Sequence, residues 1–105
     1  MSNMVKRGDF LVFQKPNGEV IEFFISTMDF NLDECHRSGN KKSVPGCKGF
    51  RITTGHFYEQ VCNYWVDRKA TDEERISFLN WMKEHGYKFH RNTLDIKKVF
   101  QRILI

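Results

Sequence analysis

Apolar side chains crowd two short runs near the N-terminus, Phe10–Gln14 and Val20–Ile25, on either side of Lys15-Pro16-Asn17-Gly18-Glu19. Both runs are rich in Phe, Val and Ile, the residues that fit a pleated surface. Between them, Pro presets φ for the first turn position, Asn tolerates the second, and Gly supplies a positive φ. This predicts a hairpin whose type I turn is closed by a glycine bulge. In the simplest register, Leu11, Phe13, Ile21 and Phe23 share one face, while Phe10, Val12, Val20 and Phe24 share the other with Gln14 and Glu22. Two largely apolar faces place these strands well inside a sheet, with at least one face covered by helix.

From about Asp29 to Gly49 the periodicity lapses. Ser38-Gly39-Asn40 and Pro45-Gly46 are turn chemistry, so the reading is a loop, with a flexible basic stretch at about 36–49. Phe50–Thr53 reads as a short strand. In His56–Val66, Phe57, Val61, Tyr64 and Trp65 fit a helical stripe, yet the aromatic and β-branched composition favours a strand turning at Thr54-Gly55. Thr71-Asp72-Glu73-Glu74 is a capping box. The helix behind it carries Ile76, Leu79 and Met82 as a stripe, Lys83 and His85 at its negative end, and Gly86 at its stop. Tyr87–His90 suits a short strand. Asn92 or Thr93 would then cap a last helix facing inward through Leu94, Ile96, Val99, Phe100 and Ile103. The expected fold is one α+β domain over 1–105: an antiparallel sheet of about three to five strands, beginning with the N-terminal hairpin and packed by two C-terminal helices.

Composition narrows the class. The chain has 105 residues, of which 40% are hydrophobic and 29% charged, ordinary values for a folded domain. No apolar stretch resembles a leader or a membrane span. Three Cys without disulfide spacing suggest free thiols in a reducing, cytoplasmic setting. The net charge is +4, and its distribution matters more than its size. No acid stands between Glu34 and Glu59, where Arg37, Lys41, Lys42, Lys48 and Arg51 fall. A second basic region holds Lys88, Arg91, Lys97, Lys98 and Arg102 against Asp95. Segregated charge of this kind steers acidic partners.

Chemistry-bearing motifs are sparse. Gly46-Cys47-Lys48-Gly49 lacks the Walker A spacing. Cys35, His36, Cys47, His56 and Cys62 are ligand types for zinc, but no C-x-x-C pair occurs and the gaps match no zinc pattern. His56 and His90, with a nearby Lys, are the pair that an RNase-like acid–base mechanism would require. Phe57, Tyr58, Tyr64 and Trp65 would stack on bases or anchor a protein interface if exposed. The sequence therefore points first to a non-enzymatic basic module that docks nucleic acid or a protein handling it. Arg37, Lys41, Lys42, Lys48, Arg51, Lys97, Lys98 and Arg102 would make the contacts, with no metal and no cofactor. The alternatives are a small accessory or inhibitor protein, of the sort phages encode, seated on an acidic surface of a host enzyme, or a small nuclease using His56 and His90.

Overall fold

The computed structural model describes residues 3–99. It is mostly β, with 51% strand and 17% helical residues. The chain divides into two compact units, Met1–Ala70 and Thr71–Ile105.

The first unit is a curled sheet. Its strands are β1 (Met4–Val5), β2 (Phe10–Gln14), β3 (Val20–Ser26), β4 (Phe30–Asn31), β5 (Arg37–Ser38), β6 (Lys41–Arg51), β7 (His56–Val66) and β8 (Arg68–Lys69). β1 pairs with β4, and the main sheet runs β5-β6-β3-β2-β8 with β7 also on β6. A single residue, Asp67, separates β7 from β8. The ribbon that borders β6 at one end therefore borders β2 at the other, where Asp67 N donates to Val12 O (2.8 Å) and Ala70 N to Phe10 O (2.8 Å). The sheet closes on itself as a small barrel, leaving few strand edges open. Val5, Leu11, Phe24, Leu32, Val44, Cys47 and Val66 form one buried cluster. On the other face of β2 and β3 the Phe23 ring stacks between Phe10 (5.5 Å) and Phe50 (5.1 Å).

The 10–25 hairpin turns as its residues dictate: Gly18 N donates to Lys15 O, Lys15 N to Glu19 O, and Gly18 has φ +89°. The register does not follow the simple expectation. Gln14 faces Val20 but Phe13 faces Glu22, because the ladder shifts between Phe13 and Gln14. That one-residue bulge swaps the faces of β3. Leu11 and Phe13 accordingly go with Phe24 and Glu22, not with Ile21 and Phe23.

The expected loop at 36–49 is instead β5, a two-residue turn and β6. Pro45 and Gly46 (φ +59°) sit at a break in the β6–β7 register between Val44 and Cys47. Turn residues that by composition end a strand here bend a continuous one.

The second unit corrects the fold class. It has one helix, α1 (Asp72–Glu84), followed by β9 (Tyr87–His90) and β10 (Asp95–Lys98) paired as a hairpin. The α+β arrangement with two C-terminal helices is not what forms. Through Lys98 the second expected helix is strand, with Leu94 at φ +61° in the turn. Phe100, Ile103 and Arg102 lie outside the described residues. Leu94 and Ile96 buried, with Asp95 half-buried and Lys97 exposed, is also a period of two, and β-branched Ile96 fits a strand paired with β9 better than a helix. The capping box forms as read, with Glu74 N donating to Thr71 Oγ1 (3.1 Å) and Thr71 N to Glu74 Oε1 (2.9 Å). The buried stripe is Phe78 and Met82, while Ile76 is 56% exposed.

Candidate binding cleft

The closure of the barrel builds a cleft of about 510 Å³ in the first unit, lined by Phe13, Gln14, Lys15, Pro16, Asn40, Lys41, Asp67 and Arg68. Three separate connections meet there: the β2–β3 turn, the β5–β6 turn and the Asp67 link. Its volume falls within the range typical of small-molecule sites.

Lys41 and Asp67 are its centre. Lys41 Nζ donates to Gln14 O (2.7 Å), forms a close ion pair with Asp67 Oδ2, and lies 4.1 Å from the centroid of the Phe13 ring. Asp67 also accepts from Gln14 N (2.8 Å), and its side chain is 8% exposed. Lys41 thus ties β6 to β2 and to the β7–β8 link, and works first as a strut. Arg68 reaches Gln14 Oε1 (3.4 Å) and Lys69 O (3.2 Å). Lys15 pairs with Glu19 (3.2 Å) at the rim. Among the described lining residues three cations stand against one carboxylate.

The sequence-predicted contact residues are used unequally. Arg37 is exposed on β5 and its Nε donates to Gly39 O (2.9 Å). It stands directly opposite Lys42, whose Nζ is 3.6 Å from Asp33 Oδ1. The Asn3 amide, at 2.9 Å, and then Lys42 hold the Asp33 carboxyl below the usual carboxylate range. Arg51 Nη2 binds Glu22 Oε1 (2.9 Å), and this hydrogen bond raises the already basic guanidinium further. Lys48 is half-buried in β6. In the second unit Lys97 is exposed opposite Lys88, and Lys98 lies 5.8 Å from the Tyr87 ring centroid. The long basic run is therefore not one open patch: Lys41, Lys42 and Arg51 have carboxylate partners inside the first unit. Phe13, Gln14, Lys15, Pro16, Asn40, Asp67 and Arg68 were missed as site residues. No local signal brings them together, since the contacts that join Gln14, Lys41, Asp67 and Arg68 cross 26 to 54 residues.

His56 is exposed at the start of β7, edge-on to Tyr58 (4.8 Å), and His90 ends β9 opposite Asp95. The two histidines fall in different units. Among the described residues no three of His, Cys, Asp and Glu gather as metal ligands. Burial pushes the Cys47 thiol up to about 12, with Cys35 adding to the effect, and burial also raises Cys35 and Tyr64. The fully buried Cys47 serves as a packing group. Among the described residues no helix is long and apolar enough to cross a membrane. No protein family, curated protein or solved structure matches this chain.

Proposed function

We propose that the chain is a non-enzymatic binding module that docks a polyanion, nucleic acid in the first place, along the cleft and the β5–β6 turn. The observation that supports this most is the convergence of Lys15, Lys41 and Arg68 on one cleft, with a single carboxylate among the described lining residues; Arg37 is exposed on the adjoining β5, across from Lys42. Lys41 covers the Phe13 ring, so affinity would come from charge with little base stacking. Binding of a fluorescent single-stranded oligonucleotide, followed by anisotropy, should weaken steeply with salt. Lys15→Gln and Arg37→Gln should each lower the slope of log K against log salt by roughly 0.7, the value per neutralised single-strand phosphate. Salt-insensitive binding, or an unchanged slope in both variants, removes this reading.

A second reading, an accessory protein docking on an acidic protein surface, is favoured by one feature. Val61 and Trp65 on β7 are 48% and 42% exposed, and the His36 ring stands edge-on to Trp65 at 6.1 Å. Trp is among the residues enriched at the hot spots of protein interfaces. Co-purification of one partner that survives nuclease and is lost in Trp65→Ala would select this reading over the first.

A further inference from the structure

A separate cavity of about 260 Å³ lies within the second unit, lined by Arg75, Leu79, Phe89 and Arg91. Arg75 and Leu79 are four residues apart on α1, so they lie on one helix face. That helix packs against β9, which supplies Phe89, and Arg91 follows directly in the β9–β10 turn. Phe89 stands opposite the buried Ile96, which fixes its strand position. Among the described residues the lining combines two apolar side chains with two guanidinium groups.

The geometry points to a binding site for a phosphate monoester carried on a small aromatic body. Two guanidinium groups are charged at any physiological pH and match the charge of close to −2 on a monoester. Each has five N–H donors in a planar fork suited to phosphate oxygens, so a partner elsewhere in the fold leaves donors for a ligand. Leu79 and Phe89 give the organic part an apolar floor, which inorganic phosphate cannot use. The volume lies just below the range of drug-sized sites and suits one ring with its phosphate. This site is independent of the polyanion cleft and of any function assigned to it.

The test is a calorimetric and amide-NMR titration of the full chain with phenyl phosphate, benzoate, benzyl alcohol and inorganic phosphate. Saturable binding of phenyl phosphate is expected, with shifts confined to residues 75–91. Each of the other three probes should bind about tenfold more weakly or worse. Arg91 is exposed, so Arg91→Gln should keep the thermal midpoint and lose about tenfold in phenyl phosphate affinity. Arg75→Gln should weaken binding in the same direction. The proposal is overturned by an absence of saturable binding, by unchanged affinity in Arg91→Gln, or by shifts that map elsewhere. Equal affinity for benzyl alcohol or for inorganic phosphate overturns it too, since one removes the role of charge and the other that of the apolar floor.

Discussion

Lys41 and Asp67 show how a residue read as a contact point can be a fastener. A carboxylate that is nearly buried and accepts from both a backbone amide and an ammonium group is costly to leave half-paired. Asp67→Asn should lower stability by about 2 kcal/mol, below the figure for a fully buried pair because Lys41 keeps some exposure. Lys41→Met, which keeps the stem over Phe13, should cost less than Lys41→Ala. Urea midpoints of the three variants check the ordering. Cys47 gives a pH prediction with a defined sign. Its folded value, about 12, lies above the ordinary 9.0, so the folded state holds the proton more tightly. The contribution is complete below about pH 9 and is lost as pH rises toward about 12. The urea midpoint should fall across that window, and Cys47→Ala should flatten the fall. Raised values at Cys35 and Tyr64 act in the same direction and should leave part of the slope.

At the scale of elements, the sequence was legible where a local rule decides the conformation. The turn at Lys15–Gly18, the strand character of His56–Val66 and the capping box at Thr71–Glu74 all rest on short-range chemistry, and all three are present. Thr71→Ala should cost about 1 kcal/mol, read as a lower thermal midpoint. What stayed hidden depends on partners distant in sequence. The bulge beside Gln14 is set by pairing, not by a signature residue, and it exchanged the two faces of β3. Pro45 and Gly46 marked a loop by composition, yet pairing resumes on both sides of them, Lys42–Val44 with β7 and Cys47–Arg51 with β3 and β7, so they bend the strand without ending it. Leu94 and Ile96 satisfied two periodicities, and β9 selected the strand. Gly49 is a further element-scale constraint. A Cβ there would lie 2.9 Å from both Phe24 Cε1 and Tyr58 Cδ2. Gly49→Ala should therefore destabilise the β3–β6–β7 region by about 1–3 kcal/mol, the usual range for overpacking, measured by denaturant unfolding.

At the scale of the whole molecule, the positive charge that stands out in the sequence is divided. One basic region belongs to each compact unit, and in the first unit much of it is matched by Asp33, Glu22 and Asp67. The candidate cleft was illegible because its lining joins residues 13–16, 40–41 and 67–68, which only barrel closure assembles. That closure also bears on how the chain reaches its native state. β8 pairs with β2 across more than fifty positions, so the last strand of the unit completes a contact with nearly the first. Such long-range pairing loses loop entropy before it gains contacts. A nascent chain on the ribosome must therefore expose residues through Lys69 before the N-terminal sheet can lock, and until then β2 offers an unsatisfied edge to any neighbouring chain.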